Sequence, residues 1–286
     1  MVVQTIVFRR LRWRATKNDG PPHRRCDTEP VRYHDGFMRR RTLAVIPLTL
    51  LCSCGLRAQT AADRDVSWAR ILPNIASDQK RIWLSPRDLA RGKHWLPTAL
   101  VVGATAALIR TDAHTAPYFR DTTTYSRFNS VFTSKATDAG TLAAPAALYL
   151  GGLIAKNSYA RHTALLAGEA VANSEILTSI MKDIDRRSRP ATYPPHTTMS
   201  GSWFNSPGSW IRGRGSFPSG HTIAAFSVAT VIARRYPRQK WLPYVAYGLA
   251  GVVGFSRLTL SGHFPSDVFV GGAMGYSISR FAVLRQ

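Results

Sequence analysis

Two histidines in the C-terminal third of the chain stand among residues that could set an imidazole to work. His263 lies in SRLTLSGHFPSD (256–267), with Asp267 four residues on. On one helical turn that carboxylate can accept a hydrogen bond from one ring nitrogen and leave the other free. His221 closes PSGH (218–221), directly before the apolar run TIAAFSVATVIA, so it stands where a helix starts. A third group, KDIDRRSRP (182–190), supplies Lys182 and Arg189. Singly, each group has an ordinary reading: cations solvated at a helix end, a histidine as a cap.

Together they describe an anion site. Lys182, Arg189 and Arg257 carry fixed positive charge that suits a tetrahedral phosphate dianion. The open amides of the helix beginning at Gly220 would add to that cradle. Gly220 has no side chain to hold an anion off the backbone, and Ser219 offers a hydroxyl. In such a pocket His263 would attack phosphorus, Asp267 would orient it, and His221 would protonate the departing oxygen. No carboxylate cluster suited to magnesium or zinc accompanies the three groups, so the chemistry is expected to need no metal and no cofactor.

The elements around these residues must bring them together. Apolar segments at 95–109, 141–155, 163–182, 221–235, 241–256 and 266–283 are rich in Ala, Leu, Val and Gly and lack the two-residue alternation of strands. They predict an all-α, up-and-down bundle of about six helices. Lys182 ends one helix and PSGH begins the next; Arg257 ends the one after, and His263 to Asp267 begins the last. Alternate helix ends share a side in such a bundle, so all three groups should meet at one end. The basic joint RRYPRQK (234–240) should lie at the other.

Composition narrows the partners. The chain has 286 residues and a formal net charge of +22, with eleven Lys or Arg against four Asp or Glu in residues 1–41. No basic recognition helix, RNA-binding aromatic signature or zinc spacing is present, so nucleic acid is not an expected partner. Cys26, Cys52 and Cys54 are the cysteines, which leaves the body of the chain without a disulfide or thiolate metal site. Residues 38–60 (MRRRTLAVIPLTLLCSCGLRAQT) have the layout of a secretion signal or N-terminal anchor. Cleavage near Ala58–Ala61 is favoured over lipoprotein processing at Cys54. Residues 1–37 read as an extension outside the fold, and 61–94 as a polar surface segment with a short helix around DLARGKHW.

The three groups carry a resemblance. Lys182-x6-Arg189-Pro190, Pro218-Ser219-Gly220-His221 and Ser256-Arg257-x5-His263-x3-Asp267 together resemble the type 2 phosphatidic acid phosphatase superfamily, over about residues 95–286. The resemblance implies a six-helix core and a phosphohistidine intermediate. It assigns phosphate binding to Lys182, Arg189, Ser219, Gly220 and Arg257, attack to His263, orientation to Asp267 and acid–base work to His221. Such families act on lipid phosphates such as phosphatidate, phosphatidylglycerol phosphate or undecaprenyl pyrophosphate; soluble periplasmic acid phosphatases and vanadium-dependent haloperoxidases share the pattern. The expected partner is therefore a phosphorylated lipid, and the expected setting the cell envelope, either membrane-associated with a periplasm-facing site or periplasmic. In the connection to PSGH, Trp203, Phe204 and Trp210 are candidates to meet a bilayer or pack over the bundle end, and His196 reads as a solvated polar residue.

Overall fold

The chain divides into two units, Met1–Ala44 and Val45–Gln286. The computed structural model describes residues 64–120, 123–194, 197–206 and 215–285, all in the second. The expectations for the secretion signal, the three cysteines, His196 and Trp210 lie outside the described residues.

Eight α-helices make up the described body: α1 (Ile71–Ala90), α2 (Trp95–Thr115), α3 (Ser126–Val131), α4 (Ser134–Ile154), α5 (Ser158–Asp185), α6 (Gly220–Arg235), α7 (Leu242–Thr259) and α8 (Pro265–Ser277), which runs on into a wider π turn, Ile278–Val283. Among the described residues there is no strand. The six long apolar segments of the sequence are thus α2 and α4 to α8, and the all-α bundle is as expected. Local chemistry marks their ends. Thr133 and Asn157 cap α4 and α5 by accepting from the amides of Ala136 and Ala160, both at 3.1 Å. Pro265 opens α8, where its missing N–H costs nothing. Arg186, at φ 41°, turns the chain sharply out of α5.

Helix α6 is the middle of the bundle, packed on α5, α7 and α8. Its Ile223 and Val231 are fully buried and join Leu166, Ala170 and Leu177 of α5 and Ile278 of the π turn in the main core. Helix α8 lies very close to α6. A methyl group at Gly275 would come within 2.4 Å of the Ile223 carbonyl, and one at Gly271 within 2.9 Å of the Ser219 carbonyl, so only glycine allows this approach. That approach sets the start of α8 beside the start of α6.

Helix directions follow from side-chain contacts at both ends. Arg235, ending α6, donates to Thr163 Oγ1 at 3.2 Å and stacks over Tyr159, both at the start of α5. At the opposite end, Lys182 of α5 lies beside Gly220 of α6. The two helices are therefore antiparallel, with the basic joint remote from PSGH.

The structure departs from the sequence reading ahead of α2. In place of a short helix, α1 has 20 residues. Arg64 makes ion pairs with fully buried Asp78 of α1 and Glu169 of α5, while Asn173 donates to Asp78 and Gln79 to Asn173. This paired polar strip fastens an otherwise exposed helix to the bundle. Apolar periodicity could not reveal it, because its anchoring groups are charged. Large apolar side chains stay exposed on α2 (Trp95, Leu96, Leu100), α4 (Leu142, Leu150, Ile154) and α7 (Tyr244, Leu249). Among the described residues no helix is long and apolar enough to cross a membrane.

Candidate active site

The end of α5, the starts of α6 and α8 and the end of α7 converge, as the up-and-down order requires. His263 is 3% exposed and Asp267 fully buried. His263 Nδ1 lies 2.6 Å from the Ser216 carbonyl oxygen. A carbonyl can only accept, so Nδ1 carries the proton and Nε2 keeps its lone pair. Asp267 Oδ2 stands farther off, 3.6 Å from Nδ1. The expected hydrogen bond from imidazole to Asp267 is thus a charge contact, and the tautomer is fixed by a backbone group two residues before PSGH. The difference has a simple cause: His263 precedes the first turn of α8, so the helical four-residue spacing does not apply to it. Burial drives the His263 imidazolium down to about 4; Asp267 opposes this and Lys182 and Arg189 reinforce it, so the ring is neutral near pH 7.

Asp267 is the hub of this end. Its Oδ1 accepts from Arg187 Nη1 at 2.5 Å, and its Oδ2 from the Ser216 hydroxyl and from the Phe264 amide at 2.8 Å, as an acid in the first turn of a helix does. Its backbone carbonyl accepts from the Ser219 amide, tying α8 to the start of α6. Burial resists its charge, but His263, Arg187 and Ser216 outweigh that and hold the carboxyl below its ordinary range.

Arg187 was not singled out in the sequence, where it reads as one of several arginines in KDIDRRSRP. Its guanidinium is buried and fully engaged: Nη1 donates to Ser266 Oγ (2.8 Å) as well as Asp267, Nη2 to Asp112 Oδ2 (2.7 Å), and Nε to Ser202 Oγ (3.1 Å). It is sandwiched between the rings of Trp203 (4.5 Å) and Phe264 (4.1 Å). Asp112, at the end of α2, also accepts from the Ser266 amide at 3.1 Å. Trp203 therefore packs over the bundle end, and also meets Phe217 edge-on; Phe204 is exposed. No spacing rule links Asp112 to Arg187, which are 75 residues apart.

Three of the expected cations differ in what they touch. Lys182 and Arg189 donate hydrogen bonds to no described residue, whereas Arg257 is committed: Nη1 to Ser134 Oγ (3.0 Å), Nη2 to the Phe132 carbonyl (2.8 Å) and Ser256 Oγ (2.8 Å), and Nε to Ser256 Oγ (3.1 Å). Burial pulls the Lys182 ammonium down to about 8, with neighbouring Arg189 adding to the effect. Burial likewise lowers Arg189, and lowers Arg257 to about 10, with Asp138 opposing and Arg189 reinforcing.

Gly220 faces Lys182: a methyl group there would sit 3.6 Å from Nζ and 3.4 Å from Thr178 Cγ2, wedged between the helix start and the ammonium. The first amides of α6 have no carbonyl one turn back to bond, so they remain open donors. Ser219 does not cap α6 with its hydroxyl, which pairs with Thr222 Oγ1 at 2.8 Å. His221 is partly buried, with Nε2 3.0 Å from Asp138 Oδ1 of α4. Burial, Arg257 and Lys182 lower its pKa while Asp138 raises it. Among the described residues no three His, Cys, Asp or Glu side chains are grouped to hold a metal ion.

Comparison with known proteins places this geometry. Over 61 residues, 21% of the chain, it is 41% identical to a protein of Porphyromonas gingivalis named lipid A 1-phosphatase, and the match covers 14% of that protein, about a seventh of its length. No solved structure matches the chain. The family model described as PAP2 superfamily matches residues 163–286, which hold all three motifs. By that match, residues 163–286 of the chain are similar to the PAP2 superfamily.

Proposed function

We propose that the chain hydrolyses a phosphate ester of a lipid through a phosphohistidine on His263, with its own cations rather than a metal neutralising the phosphoryl group. The observation that carries this reading is a buried, neutral imidazole with Nδ1 held by the Ser216 carbonyl, within the field of two cations, Lys182 and Arg189, that donate to no described residue. Those two residues, the open amides at Gly220 and the remaining N–H of Arg257 would hold the non-bridging oxygens. Nε2 of His263 would attack phosphorus as the ester bond breaks, and His221 would give its proton to the departing oxygen. Neutral His221 would then take a proton from the water that cleaves the N–P bond.

The lipid nature of the substrate rests on the relative's name and on the apolar side chains left exposed on α2, α4 and α7. The same faces, with the secretion-signal layout of residues 38–60, support attachment to a membrane of the cell envelope with the site on the periplasmic side. Phosphate release from dioctanoyl phosphatidate, phosphatidylglycerol phosphate, undecaprenyl pyrophosphate, the phosphorylated lipid A of an outer membrane and p-nitrophenyl phosphate, with and without detergent micelles, tests the proposal. Faster turnover of at least one lipid than of the soluble ester is expected; a uniform preference for the soluble ester contradicts the lipid assignment.

A further inference from the structure

Asp138 belongs to none of the three motifs, yet it reaches the site from the opposite wall. It lies near the start of α4, and that start is clamped to α7 by Arg257, which donates to Ser134 Oγ and the Phe132 carbonyl. This sets Asp138 Oδ1 3.0 Å from His221 Nε2, with the carboxylate side chain 61% exposed and the imidazole 24%. Nε2 is buried and, although so near the carboxylate, makes no aligned hydrogen bond. His221 thus stands between a largely exposed carboxylate and the two cations Arg257 and Lys182, whose fields it feels.

We propose that Asp138 is a positioning residue for leaving-group protonation: it offsets part of the cost of charging His221 and resupplies its proton from solvent. The charges around His221 show why such a residue is needed. Arg257 of α7 and Lys182 of α5 both disfavour a third positive charge, as does burial, and Asp138 is the carboxylate acting against them. Glu175 of α5 stands within the field of Lys182 and Asp138 and adds negative charge on the same side. The inference rests on the roles proposed for His263 and His221. In the first step the His263 Nε2–P bond forms, the P–O ester bond breaks with its electron pair on the leaving oxygen, and that oxygen takes the His221 proton. In the second, His221 accepts a proton from the attacking water, the N–P bond breaks, and phosphate leaves with His221 protonated again. Asp138 stabilises the charged ring at the start and the end of the cycle.

The test separates leaving groups. p-Nitrophenolate departs without a proton; the alkoxide of dioctanoyl phosphatidate does not. Rates of leaving-group release within a single turnover, which exclude the shared hydrolysis of the phosphohistidine, are measured against pH on both esters for wild type, Asp138→Asn, Asp138→Glu and His221→Ala. Removing the negative charge lowers the pKa of His221, so the protonated fraction is lost at lower pH. Asp138→Asn is expected to move the alkaline limb of the single-turnover rate on phosphatidate down by about one pH unit, a loss of about tenfold on that limb. The p-nitrophenyl phosphate rate should change less than about twofold, and Asp138→Glu should restore the limb. A purely structural role for an exposed residue would slow both esters alike. If His221→Ala shows the leaving-group split but Asp138→Asn leaves the limb in place, the role of Asp138 is overturned and that of His221 stands. If His221→Ala slows both esters equally, the acid role of His221 falls, and this inference with it.

Discussion

Arg187 Nη1 and Asp267 Oδ1 meet at 2.5 Å with both side chains buried, and the same guanidinium holds Asp112 at 2.7 Å through Nη2. One cation thus pairs with two carboxylates from two helices, and one of those carboxylates stands beside His263. Removing the cation leaves two buried negative charges uncompensated. Arg187→Met is therefore expected to cost about 3–5 kcal/mol in unfolding free energy, measured by denaturant titration. Arg187→Lys keeps a charge but loses the fork and the stacking on Trp203 and Phe264, so it should recover only part of that stability. Wild-type stability in Arg187→Met would contradict this arrangement.

Lys182 and Arg189 predict anion-linked stability. Inorganic phosphate or vanadate should raise the thermal midpoint by binding at these two cations, which donate to no described residue. Lys182 must be protonated to contribute. Its ammonium is lost as pH rises through about 8, so the phosphate-induced rise in midpoint should shrink over that range. Lys182→Met should lessen the rise and remove this pH dependence; an undiminished rise in that variant would exclude Lys182 from the anion site.

The sequence made the shared end of the bundle legible because topology alone orders it. Lys182, PSGH, Arg257 and His263 all fall at helix ends, and four consecutive up-and-down helices bring such ends together. It did not reveal the second ring of contacts. Asp112 and Arg187 find each other across 75 residues, and Asp138 approaches His221 from α4, through side-chain reach that no periodicity encodes. The same limit explains the tautomer of His263. A hydrogen bond to the Ser216 carbonyl is a backbone event, set by how the chain turns into PSGH, and leaves no mark in residue spacing.

Asp185 predicts a pH-dependent stability. It sits at the end of α5 with Oδ1 accepting from the Arg187 amide at 3.0 Å and Oδ2 buried with no hydrogen-bond partner among the described residues. Burial raises its pKa to about 7, with Arg187 opposing and Asp267 reinforcing. The folded state therefore binds a proton that the unfolded chain has already released, so stability falls as pH rises from the ordinary carboxyl range to about 7. Asp185→Asn keeps the amide acceptor and removes the titration. Thermal midpoints across that range should decline less in the variant than in wild type; equal declines would assign the slope elsewhere.

In the proposed mechanism Lys182, Arg189 and Arg257 supply the charge that a metal would otherwise bring to the phosphoryl group. Hydrolysis is accordingly expected to persist in excess EDTA, measured as phosphate release after dialysis against chelator. Activity lost to EDTA and restored by a divalent cation would contradict a mechanism carried by side chains alone.

The most direct measurement is capture of the covalent intermediate. The enzyme is mixed with lipid substrate labelled in the phosphoryl group, quenched within one turnover, and the label's linkage examined. The account predicts phosphate on His263, stable to alkali and lost in acid, absent from His263→Gln although that variant folds. Label on a carboxylate or hydroxyl, or a full burst of labelling in His263→Gln, would contradict it.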